Sequence, residues 1–102
     1  MDPERISDFN ISDVVVSTAG RDKGSLFYVI GEEPLYLLLA NGKDRSLDKP
    51  KRKKRKHIQK VLRSETRVAE KLREGDKVLN SELRRDLAFN ADQMQSIDLL
   101  GG

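Results

Sequence analysis

Apolar residues in the first forty positions gather in three short blocks separated by turn-forming residues. The blocks are Val14-Val15-Val16, Leu26-Phe27-Tyr28-Val29-Ile30 and Leu35-Tyr36-Leu37-Leu38-Leu39-Ala40. Each is short and rich in β-branched, aromatic or leucine side chains, which predicts strands over Asp13–Thr18, Leu26–Ile30 and Leu35–Ala40. The connections are Ala19–Ser25, Gly31–Pro34 and Asn41-Gly42. Asn-Gly accepts positive φ at both positions, so it predicts a tight hairpin and a fourth strand near Lys43–Leu47. Short consecutive connections imply an antiparallel meander. Such a strand would carry the chain back along the sheet. The residues after it would then start at the opposite end from the Ala19–Ser25 loop.

The second and third blocks are apolar almost without interruption, whereas a half-exposed strand alternates. Both faces of the sheet are therefore expected to be covered. The C-terminal half offers the cover. Leu62, Val68, Ala69 and Leu72 stand at helical spacing and predict a helix over Ser64–Arg73, stopped by Gly75-Asp76. Asn80 is placed to cap a second, short helix carrying Leu83 and Leu87 one turn apart. After Asn90 the pattern fades, and residues 91–102 read as a flexible tail. Residues 1–12 form a lead-in from which Phe9 and Ile11 can tuck against the body. The fold class is mainly β with C-terminal helices: a small antiparallel sheet over 13–61, then a helical extension over 62–90 acting as a lid.

The chain has 102 residues, enough for one domain with a modest core. Without Trp, and with three Phe and two Tyr, that core must be aliphatic. The absence of Cys rules out disulfides, thiolate metal sites and thiol nucleophiles. Met1-Asp2-Pro3-Glu4-Arg5 opens acidic with no apolar stretch behind it, unlike a secretory signal. The longest apolar run is too short for a bilayer. The expected setting is the cytoplasm, with no membrane partner.

Charge changes the picture. Lys49-Pro50-Lys51-Arg52-Lys53-Lys54-Arg55-Lys56 holds seven cations in eight residues. Lys43 to Arg63 carries eleven Lys/Arg against two Asp, and the rest carries nine Lys/Arg against fifteen Asp/Glu. The overall +3 thus hides a basic hotspot of +9 on a body of −6. Such a run repels itself and must be solvated or paired with an anion, phosphate backbones being the commonest partner. A solvated basic loop over 49–57 or a nuclear import signal is the plain alternative.

Ala19-Gly20-Arg21-Asp22-Lys23-Gly24-Ser25 links the first two apolar blocks. Gly20 and Gly24 allow backbone geometry closed to residues with a Cβ, and Arg21 and Lys23 put cations at the tip. By itself this also reads as an ordinary hairpin loop in which Asp22 balances the cations. With its flanking strands, however, the Gly-x-Asp-Lys-Gly pattern resembles a KOW motif. Asn41-Gly42-Lys43, Arg45, Leu47, Lys49-Pro50-Lys51 and Lys56-His57-Ile58-Gln59 continue the likeness to bacterial KOW-domain RNA-binding proteins related to archaeal- and eukaryotic-type large-subunit ribosomal proteins. The likeness spans about Ser12 to Val61. It implies an SH3-like antiparallel β-barrel of about five strands. Ser25 stands where the pattern often has a basic residue, which trims the charge of the loop.

The candidate RNA-binding residues are Arg21, Lys23, Lys43, Arg45, Lys49, Lys51, Arg52, Lys53, Lys54, Arg55 and Lys56, with Gly20, Asp22, Gly24, Asn41 and Gly42 shaping the loops. Phe27 reads as core. Tyr28 falls on the opposite face, where it has a chance of exposure. Phosphate and 2′-OH contact is favoured over base stacking. His57 is the only histidine and reads as a packing or hydrogen-bonding residue. Glu32-Glu33 beside Pro34 reads as a solvated turn. No nucleophile elbow, metal cluster or phosphate loop of the Lys-Ser/Thr type stands out, so neither an enzyme nor a cofactor is expected. The leading expectation is a ribosome-associated RNA-binding protein whose partners are ribosomal RNA and neighbouring ribosomal proteins. The rival is an interaction module of the transcription or translation machinery that docks an acidic protein. A third reading is general polyanion adhesion.

Overall fold

The computed structural model describes residues 9–101, with side chains through residue 92. Five strands form one antiparallel sheet: β1 (Asp13–Ser17), β2 (Leu26–Glu32), β3 (Tyr36–Ala40), β4 (Lys51–Lys54) and β5 (Ile58–Arg63). Their order is β4-β3-β2-β1-β5. β1 to β4 are a meander. A 3-10 turn over Arg55–His57 then carries the chain to β5, which returns beside β1. Two helices follow, α1 (Arg67–Glu74) and α2 (Asn80–Gly101).

The unbroken apolar blocks are strands buried on both faces. Val15, Phe27, Val29, Leu37, Leu39 and Ile58 make one cluster, against which Phe9 and Ile11 pack. Val14, Tyr28 and Ala40 face the other way and meet Leu83 and Leu87 of α2, with Val68 and Leu72 of α1 alongside. The helical lid is present, and it uses the four aliphatics that the spacing indicated. Thr66 caps α1, its hydroxyl oxygen accepting from the Ala69 N–H, and Gly75 ends it in a left-handed conformation.

Four expectations are overturned. No strand lies at Lys43–Leu47. The Asn41-Gly42 pair opens a long connection to Pro50 instead of a two-residue hairpin. There the Asn41 side chain accepts from the Lys43 and Arg45 N–H groups, folding the loop onto itself. The fourth strand is the basic run itself, so 49–57 is not a loop. Asn80 does not cap α2, because its Oδ1 accepts from the Leu47 N–H at 2.8 Å. The cap is instead Leu79, whose carbonyl accepts from the Leu83 N–H while Glu82 reaches back to the Leu79 N–H. Finally, α2 is not short and continues past Asn90, because Ala91 to Leu100 contains no Gly or Pro to end it.

Candidate nucleic-acid interface

The site is built on β4, which among the described residues is an edge strand paired to β3 alone. A strand places successive side chains on opposite faces, and this divides the cations in two. Lys51 and Lys53 stand opposite Leu39 and Leu37 and share their face. Lys51, Lys53 and Arg55 are half-buried, whereas Arg52, Lys54 and Lys56 are exposed.

The half-buried set is spent on the protein. Lys53 Nζ donates to the Ala19 carbonyl at 2.8 Å and to Asp22 Oδ1 at 3.1 Å. Lys51 Nζ lies 3.2 Å from Asp22 Oδ2, an ion pair. The Ser17 hydroxyl also donates to Asp22 Oδ1. Burial pushes the Asp22 carboxyl up, but the hydrogen bonds from Ser17 and Lys53, together with Lys51, outweigh it and hold the carboxyl down at about 2. Asp22 is therefore the clasp that fixes the first loop to β4. At the other end Arg55 donates to the Glu33 and Pro34 carbonyls and pairs with Glu32. Glu32 and Glu33 are thus engaged in ion pairs with Arg55 and Arg52.

The remaining cations are free of such ties. Arg21, Lys23, Lys43, Arg45, Lys49, Lys54 and Lys56 are exposed and form no ion pair among the described residues. Their placement follows from register. Ala40 pairs with Tyr28 and Lys51 with Leu39, so the 41–50 connection sits at the same end as the 19–25 loop. The expected co-location of those two loops holds. The basic run, however, starts at that end and runs away from it, the reverse of the expected direction. A strand over 43–47 would have carried the chain across first, and there is none. Five free cations lie in the two loops at that end, with Lys54 at the far end of β4 and Lys56 in the 3-10 turn beyond it.

Gly20 and Gly24 both have positive φ, at +87° and +91°, as the loop reading requires. Gly42 serves differently. Its φ is +76°, and a Cβ there would lie 2.2 Å from the Asn80 carbonyl oxygen. Arg84 donates to the Gly42 carbonyl, so the loop is seated on the start of α2.

Tyr28 does lie on the face opposite Phe27, but it is fully buried under the lid and offers nothing to a base. Its hydroxyl hydrogen-bonds to Asp86 and to Ser64, and Asn90 Nδ2 donates to it at 3.1 Å. Burial, reinforced by Asp86, pushes the phenol up to about 12. Two contacts leave no trace in the sequence pattern. Arg73 of α1 donates to Ser12 Oγ, just before β1, and to the Ser64 carbonyl. Tyr36 lies under the Arg52 guanidinium, 3.6 Å from ring centroid to Cζ. Only the β3–β4 register brings that pair together.

His57 is half-buried, and its carbonyl accepts from the Thr18 N–H. Among the described residues no cluster of His, Asp and Glu is arranged to hold a metal, and no helix is long and apolar enough to cross a membrane. No protein-family model matches the chain, and no curated protein matches it.

Proposed function

We propose that this chain is a KOW-type RNA-binding protein that works on or beside the ribosome, gripping RNA phosphates with the free cations of its two loops and of β4. The observation that carries the reading is the clasp of Asp22 on Lys51 and Lys53. It ties the Gly-x-Asp-Lys-Gly loop to the basic run, so that their cations stand on one connected framework. A rigid array of cations meets phosphates with less ordering cost than a loose tail. The strand order, the 3-10 turn before β5 and the return of β5 beside β1 support reading the sheet as an SH3-like barrel.

With five to seven phosphates neutralised, log K for RNA should fall against log salt with a slope of roughly −3 to −6. Purified protein, freed of all other proteins, should retain this binding, and RNA should outcompete heparin. Sedimentation of lysate on a gradient should place the protein with ribosomal particles and release it on nuclease treatment. The alternative, docking of an acidic protein segment, draws on the outer edge of β4, which no described strand pairs. Loss of all RNA binding on purification would favour it. Equal affinity for RNA, DNA and heparin would favour general polyanion adhesion.

A further inference from the structure

Tyr36, Leu38 and Ala40 alternate onto the helix-side face of β3, yet only Ala40 belongs to the cluster under the helices. Tyr36 and Leu38 are half-buried, and the neighbouring Leu35 is 71% exposed. Among the described residues, the lid stops short of this corner of the sheet. Across the ladder Lys54 stands opposite Tyr36 and Arg52 opposite Leu38. Arg52 reaches along the diagonal, a separation that long side chains span, and lays its guanidinium over the Tyr36 ring. Its Nε donates to Glu33 Oε1 at 2.8 Å, which sets the rotation of the guanidinium plane. One face of that plane is taken by the ring. The side chain is still 54% exposed, so the other face is open to solvent.

We propose that Arg52, backed by Tyr36, is a stacking platform for one unpaired RNA base, with Lys54 beside it taking the adjoining phosphate. This rests on the RNA-binding reading and narrows it to single-stranded RNA. Phosphate contact alone needs no oriented plane and does not distinguish single strands from duplex. A guanidinium plane held flat on an aromatic ring presents a surface suited to a base face, and bases inside a duplex cannot reach it. The Glu33 bond removes the rotational freedom that stacking would otherwise have to freeze. Partial neutralisation by Glu33 also makes Arg52 a poorer phosphate ligand than Lys54, which has no ion pair among the described residues.

The test is fluorescence anisotropy with labelled oligouridylate and an RNA duplex of equal length, using the parent, Arg52→Lys, Tyr36→Leu and Lys54→Gln. Arg52→Lys keeps the charge and loses the plane. The parent should prefer the single strand. Arg52→Lys and Tyr36→Leu should each weaken single-strand binding about fivefold or more, with an unchanged salt slope. Lys54→Gln should reduce the slope. A fluorescent adenine analogue in the strand should be quenched by the parent and not by Arg52→Lys. Parent-like binding and quenching by Arg52→Lys, or equal affinity for duplex, would overturn the platform while leaving RNA binding in place. If the parent binds neither RNA, the RNA-binding reading falls and the platform falls with it.

Discussion

Lys53 and Asp22 are 31 residues apart in sequence and 3.1 Å apart in space. Their contact converts the middle of a run of cations into part of the protein's own framework. On the proposed RNA-binding reading, the charge left for a phosphate backbone is carried by its alternate, exposed members.

Asp22→Asn should loosen the first loop from β4. The Asp22 carboxyl is held at about 2 against a usual 3.8, so its folded-state value is depressed. The stabilisation is present above pH 4 and is lost as pH falls through about 2. Denaturant melts of parent and variant should differ by on the order of 1 kcal/mol near neutrality, after allowing for solvent screening, and converge towards pH 2. Curves that stay parallel down to pH 2 would remove the clasp.

Gly42 and Gly24 separate two kinds of glycine requirement. Gly24→Val meets no atom within 4 Å at its Cβ, and its cost comes from φ alone, on the order of 1–3 kcal/mol. Gly42→Ala adds a collision with the Asn80 backbone to the same strain. It should cost more, about 3–5 kcal/mol, by displacing α2 from the loop. The melting temperature of Gly42→Ala should therefore be the lower of the two.

Most of the fold was legible because burial on two faces leaves an unmistakable trace, and β1, β2, β3 and the aliphatics under α1 and α2 all carry it. β4 was not legible. Lys and Arg are poor strand formers, and nothing in Lys51–Lys54 marks an inner or outer face until β3 is laid beside it. The carboxylates that decide which cations are spent lie in other parts of the chain, Asp22 in the first loop, Glu32 at the end of β2 and Glu33 in the turn after it. Asn41-Gly42 misled for a related reason. Gly42 does take positive φ, but it does so to pass under α2, a contact made with Asn80 and invisible to local pattern. The same holds for Tyr36 and Arg52, whose meeting depends on strand register.

Tyr28 anchors the lid. Its phenol, raised from 10 to about 12, favours the folded state below pH 10, and that contribution disappears as pH rises through about 12. Absorbance titration should show one phenol ionising only near pH 12, together with alkaline unfolding. Tyr28→Phe should lose that late titration and cost about 1–3 kcal/mol at neutral pH, since Asp86 and Ser64 lose a buried partner.

If the basic run is divided into inward and outward cations, the salt dependence of RNA affinity should respond to one set and not to the other. Lys54→Gln with Lys56→Gln removes two outward cations. Lys51→Met with Lys53→Met removes the two inward cations clasped by Asp22, with the same change in net charge. The first pair should weaken RNA binding and flatten the log K against log salt slope by about 1–2, with little change in melting temperature. The second should lower the melting temperature and, measured while folded, leave the slope as in the parent. A flattened slope in the second pair with an unchanged slope in the first would contradict the account.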